Sequence, residues 1–170
     1  MLMAGSAVQQ DGASASLTAP NGTSQRRLLR AACDAARPDV REPSMVEAHG
    51  TGTALGDPIE MGSTLDASGA GRLRSSVMWC GAVKANAGHL ENTAGGVGMV
   101  AAIEVVLQRS GSVALVQLRS LNGKLALPIA AAGGCGLDVE SSGVGASSDW
   151  LVAGLSSFGY SGTIGHCLQR

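Results

Sequence analysis

The chain has 170 residues, 45% of them apolar and 15% charged, and carries a formal net charge of −1. That length fits one domain able to bury a core, and that balance excludes a disordered chain. With no basic run beyond Arg26-Arg27, neither a nucleic-acid footprint nor a polybasic membrane patch is present.

Residues 4–8 read as a short strand end, followed by a Gly/Ser/Ala-rich loop over about 9–22. The opening "MLMAGSAVQQ" lacks the basic n-region of a signal peptide. Thr23 or Ser24 is positioned to cap a helix to about Ala36, because Leu28, Leu29, Ala32 and Ala36 recur at helical spacing. Pro38 and Pro43 punctuate the exit, and residues 44–49 form a short strand ending at His49. Asp57-Pro58 opens a second helix to about Ala67, since Asp is a good N-cap and Pro suits the first turn. The near-continuous apolar run 77–85 suits a strand buried on both faces of a sheet. A helix over about 92–108 follows. Residues 113–118 and 151–158 are strand candidates, and 120–149 is irregular. "FGYSG" reads as a tight turn into a last strand over 163–168.

The alternation of strands and helices predicts an α/β layer with crossovers. In such sheets ligands gather beyond the carboxyl ends of the strands. His49 and His89 each fall just past a strand, so they are expected to face one pocket. Twenty-five glycines and only four aromatic residues (Trp79, Trp150, Phe158, Tyr160) imply a core of Ala, Val and Leu in close backbone contact. Cys33, Cys80, Cys135 and Cys167 lie far apart with no C-x-x-C pair, which argues against a disulfide framework or zinc knuckle. A reduced intracellular protein, cytoplasmic and without a membrane span, is the expectation.

His89 precedes the start of a helix near Asn92 or Thr93, whose partial positive end faces it, and Lys84 adds a full charge. Both oppose a second positive charge, so a neutral imidazole donating a hydrogen bond to a developing oxyanion is the form expected. His49 is rimmed by Gly50, Gly52 and Gly56, which allow close approach of a ligand. Thr51 and Thr53 offer hydroxyls two residues apart to a polar, amide-bearing arm. A lone histidine at a strand end is commonly structural; two of them with a nearby lysine tip the balance towards function. A zinc site adding His166 lacks both short ligand spacing and an orienting carboxylate, so no metal is expected. No Walker loop occurs, and no G-x-G-x-x-G follows a strand and opens a helix.

"GSAVQQDG", "LTAPNG", "VEAHGTGTALGDPIE", "GAVKANAGHLENTAG" and "SSFGYSGT", in this order, closely resemble the C-terminal half of a β-ketoacyl synthase, most like the ketosynthase of type I polyketide synthases. The resemblance covers residues 5 to about 119 and 154–166. It implies a thiolase-like α/β fold, here the C-terminal half only, as a mixed sheet with helices on both faces. The family catalyses decarboxylative Claisen condensation of an acyl thioester with malonyl-acyl carrier protein in polyketide or fatty acid synthesis. It binds no cofactor directly; the substrate rides on the phosphopantetheine arm of the carrier. His49 and His89 match the two histidines that hydrogen-bond the malonyl thioester oxygen, and Lys84 matches the lysine supporting the second. Thr51 and Thr53 match the threonines on the phosphopantetheine arm. Tyr160 matches the position whose backbone N–H helps form the oxyanion hole, with Phe158 in the same gating loop. The expected partners are an acyl carrier protein, an N-terminal ketosynthase half and a second copy in a homodimeric parent. Residues 1–22 then read as a remnant of that preceding half.

The family nucleophile lies in a T-A-C-S-S-type motif, and none of the four cysteines has that setting, so the isolated chain is expected to be inactive. Ile164 stands where the family has Asn, Gln9 replaces the Asn of "NQDG", and "LNGK" replaces an "LNP" loop. The small, apolar helix at 92–108 is expected to be buried all round, and alone would expose a face that drives self-association. The alternative reading is an incompetent ketosynthase half that only binds a carrier protein or synthase.

Overall fold

The computed structural model describes residues 2–14, 16, 19–40, 42–69, 77–109, 113–132, 135–137 and 151–170. Among the described residues six strands form one mixed sheet: β1 (Met3–Gln10), β2 (Met45–Glu47), β3 (Met78–Gly81), β4 (Cys135–Gly136), β5 (Ala153–Phe158) and β6 (Thr163–Gln169), in the order β1-β6-β5-β2-β3-β4. β2 is parallel to both β3 and β5, and β3 to β4, whereas β6 is antiparallel to β1 and β5. Every residue of β2 is buried, as befits a central strand covered on both faces.

Period-two alternation splits the core. Val46 packs with Met61 and Leu65 of α2 (Gly56–Ala67) and Leu125 of α5 (Gly123–Ala132). Its neighbour Met45 packs on the other face against Ala102 and Val105 of α4 (Ala94–Gln108). α1 (Gly22–Ala35) lies beside α2 and covers β1 and β6. Four-residue α3 (Lys84–Ala87) follows β3. Helices thus cover both faces, as the resemblance implies.

Several local expectations are corrected. β1 is an edge strand of the same sheet, paired along its length with β6. Asn21, not Thr23 or Ser24, caps α1: its Oδ1 accepts the Ser24 N–H at 3.1 Å, while Asp11 Oδ2 holds the Asn21 N–H. Asp57 sits inside the first turn of α2, and its Oδ1 accepts the N–H groups of Gly52 and Thr53, so it folds the preceding loop. β3 stops at Gly81, which puts Lys84 on a helical turn. Residues 113–118 form no strand; the Asn86 side chain bonds Ala114 O and the Gln117 N–H and pins them as a loop. The span expected to be irregular contains α5 and β4, while 133–134 and 138–149 lie outside the described residues.

α4 is not buried all round. Ala94, Gly98, Ala101, Ala102 and Val105 face the sheet, and Val100 and Leu107 are each 64% exposed. A Cβ on Gly98 would lie 2.9 Å from Leu155 Cδ1, so the small residues set how closely the helix approaches β5.

Candidate active site

The site forms where β2, β3 and β5 end. Beyond β2, the Ala48 N–H continues the pairing to Gly81 O at 2.8 Å, and the chain then turns sharply at His49. That turn is held by Glu60 of α2: Oε1 accepts the His49 N–H at 2.6 Å and Oε2 the Gly50 N–H at 2.9 Å. Gly50 has φ +47° and a Cβ there would meet Ala82 Cβ at 2.8 Å. Gly50→Ala is therefore expected to destabilise the fold by about 1–3 kcal/mol, read in thermal or urea denaturation.

The two imidazoles are fixed by backbone donors. His49 Nδ1 accepts the N–H of Phe158, the last residue of β5, at 3.2 Å, and the two rings are 5.4 Å apart by centroid. His89 follows Gly88 (φ +77°), and its Nδ1 accepts the Glu91 N–H at 2.9 Å where the 3-10 turn Glu91–Thr93 begins. With each Nδ1 accepting, the ring proton of each sits on Nε2. The centroids of His49 and His89 are 6.1 Å apart, edge to face. The two rings thus meet beyond the ends of β2 and β3.

Electrostatics favour this state at His49. Burial first, then the charge of Lys84, pushes its pKa down to about 4. Lys84 is itself lowered by burial, with Glu47 and Glu60 opposing that shift. Burial dominates at both carboxylates and raises each to about 7. Glu47 Oε1 accepts the Val83 N–H at 2.6 Å, so it fixes the turn that carries Lys84.

A cavity of about 1200 Å³ is lined by His49, His89, Thr51, Thr53, Phe158 and Tyr160. Six of the seven residues singled out from the sequence thus meet on one wall. Lys84 instead lines a second cavity of about 480 Å³, which His89, Thr51 and Glu60 border as well. It thus shares that second cavity with His89, and its charge acts on His49. Thr53 Oγ1 already accepts the Gly56 N–H at 3.0 Å, which leaves its hydroxyl hydrogen and one lone pair for a ligand. Tyr160 is 85% exposed at the turn between β5 and β6. None of the four cysteines lines the larger cavity among the described residues.

Sequence reasoning assigned no role to Glu47 or Glu60. Their signal was two carboxylates bracketing an otherwise glycine- and threonine-rich stretch, legible only once α2 folds back over the loop. His166, on β6, is buried with its Nδ1 3.0 Å from Ser156 Oγ of β5. Among the described residues no group of three or more His, Cys, Asp or Glu could hold a metal ion, and no helix is long and apolar enough to cross a membrane. Ile164 is buried at the Asn position and also borders the larger cavity. Gln9 bonds Ser24 O and Arg27, tying β1 to α1.

The fold is thiolase-like, with two histidines meeting beyond the strand ends. The family described as β-ketoacyl synthase, C-terminal domain, matches residues 1–118, and the chain belongs to it. It is 41% identical over 165 residues to polyketide synthase GfsA of Streptomyces halstedii, covering 96% of this chain and 2% of that protein. It is 50% identical over 99 residues to polyketide synthase GfsB of the same organism, covering 58% of this chain and 2% of that protein. Ketosynthase twelve from the bacillaene polyketide synthase of Bacillus amyloliquefaciens superposes with a TM-score of 0.82 at 28% identity, over 96% of this chain and 29% of that one. The chain therefore spans a small fraction of these relatives.

Proposed function

We propose that the chain supplies the enolate-stabilising half of a ketosynthase that condenses an acyl thioester with a malonyl unit in polyketide synthesis. The observation that carries this reading is the histidine pair, each Nδ1 accepting a backbone N–H so that both Nε2–H groups donate. In a malonyl thioester the bond from Cα to the carboxylate breaks, CO2 leaves, and the electron pair passes into an enolate whose negative charge sits on the thioester oxygen. Two fixed donors stabilise that oxygen as charge develops, without giving up a proton. Burial and Lys84 support this by disfavouring an imidazolium at His49. The enolate carbon then attacks the thioester carbonyl of an acyl chain held on cysteine, and the cysteine leaves as a thiolate.

Since no cysteine of this chain lines the histidine cavity among the described residues, the acyl-bearing cysteine is assigned to a preceding ketosynthase half. That half would also cover Val100 and Leu107 of α4, within a homodimeric parent. The malonyl unit would arrive on the phosphopantetheine arm of an acyl carrier protein, with the Thr51 and Thr53 hydroxyls meeting its amides and Phe158 and Tyr160 at the rim. Lys84 acts from the rear cavity through its charge. The intact donor pair argues against a chain that only binds partners.

The test combines this chain with a first-half polypeptide bearing the cysteine and measures CO2 released from malonyl-carrier protein. Release and condensation are expected; a stably associated but silent mixture would overturn the reading. Without that half, the bare α4 stripe is expected to drive self-association. A monodisperse monomer by light scattering that binds no apolar dye would count against it.

A further inference from the structure

Cys80 on β3 and Cys135 on β4 belong to neighbouring parallel strands, in the register Met78↔Cys135 and Trp79↔Gly136. Both side chains join the same face of the sheet, packed with Val46, Met78 and Leu125. Their sulfurs lie 3.3 Å apart as thiols, although 55 residues separate them in sequence. Cys80 is buried on the wall of the 480 Å³ cavity, and Cys135 is half-buried, so a small reagent has a route to the pair. The other two cysteines belong elsewhere: Cys33 packs at the α1 end against Ala36 and Val152, and Cys167 is buried on β6.

We propose that Cys80 and Cys135 form an oxidisable dithiol site that reacts with a low-molecular-weight disulfide and closes to an internal disulfide between β3 and β4. The Cys135 thiolate attacks one sulfur of the reagent, the reagent S–S bond breaks, and one small thiolate leaves. Cys80 then loses its proton to solvent, and its thiolate attacks Cys135 Sγ and expels the second small thiolate. The protein dithiol is oxidised by two electrons, the reagent is reduced to two thiols, and the two released protons end on those thiols.

The order follows from the surroundings. Contact with Cys135, burial, and the carboxylates Glu60 and Glu47 push the Cys80 thiol well up. The charged groups around it are Glu47 at the end of β2, Glu60 and Asp57 on α2, and Lys84 on α3. Cys80 is therefore the resolving thiol, and closure is slow at neutral pH. Once formed, the bond ties the two-residue strand β4, and with it the end of α5, to the floor of the cavity that Lys84 and Glu60 share. Redox state would then set how rigid that rear wall is.

The reduced wild-type chain is incubated under native conditions with oxidised glutathione, quenched with N-ethylmaleimide and weighed intact. The expected product has lost two hydrogens and two alkylation sites, with Cys80 linked to Cys135 after cleavage at Glu140 separates Cys135 from Cys167. Closure of the mixed disulfide should accelerate about tenfold from pH 7 to pH 8, because Cys80 remains below its pKa. Cys80→Ser should stop at a glutathione adduct on Cys135. Retention of all four thiols, links through Cys33 or Cys167, or closure only in denaturant would each overturn the proposal, and the wild-type measurement decides it without any variant.

Discussion

Replacing His49 by alanine is expected to slow CO2 release from malonyl-carrier protein by about 10²–10³-fold in the assembled enzyme, the usual cost of one preorganised oxyanion donor. The loss should fall on kcat with KM nearly unchanged, because the bond strengthens only as the thioester oxygen becomes an enolate oxygen. His89→Ala should cost a similar factor, and the double variant less than the product, since both donors serve one oxygen. Phe158 loses its backbone acceptor in His49→Ala, so His49→Gln provides a second arm. Its amide retains both a donor and an acceptor and should recover part of the rate. Acidification adds a further check. With the His49 pKa near 4, its donor form persists well below neutrality, so no loss of rate between pH 7 and 5.5 should trace to this ring. Full activity in His49→Ala would remove the histidine from the mechanism.

The sheet and the meeting of two histidines were legible because they rest on short-range signals. A strand must end where "VEAH" gives way to glycines, and a helix must start near "ENTAGG". The Asn21 cap was missed because three residues within one turn could each have filled it, and Asp11, ten residues earlier, decided between them. Asp57 was misread for the converse reason: a good capping residue beside proline turned its carboxylate back onto the loop. α5 was hidden because "GKLALPIAAA" sits in a Gly/Ser/Ala-rich segment and carries a proline. Its anchor, Leu125 on the α2 side of the sheet, is a tertiary contact. The placement of Lys84 on a helical turn lining the smaller cavity depended on β3 ending at Gly81. There Glu47 Oε2 lies 2.5 Å from where a Cβ would stand and leaves room only for glycine. The apolar run itself gave no sign of that stop.

Glu60→Ala is expected to cost about 2–5 kcal/mol of stability at pH 5.5, the range for leaving two buried N–H donors without their acceptor. Two N–H groups, of His49 and Gly50, lose their acceptor at once. The cost should shrink towards pH 8, and the sign follows from linkage. Folding raises the Glu60 pKa from 4.5 to about 7, so between those values the folded chain holds a proton that the unfolded chain has released. Wild-type stability from this group is therefore full below about 4.5 and is lost as pH rises through 7, by an amount on the order of 3 kcal/mol. The alanine variant has no such loss, so the two curves converge at alkaline pH. His49 and His166 act oppositely: both are lowered to about 4 by burial, and their contribution is lost as pH falls from 6.5 to 4. Glu47 is raised to about 7 as well, so the two carboxyls offset the two imidazoles and the wild-type profile should look flat between 4.5 and 6.5, while the difference between wild type and Glu60→Ala isolates Glu60. Glu60→Gln should also be destabilised, because one amide oxygen cannot serve two N–H groups and its NH2 opposes the second. Urea denaturation across pH 5–8 measures all three, and a Glu60→Ala penalty that grows with pH would refute a carboxyl held protonated beneath the histidine loop.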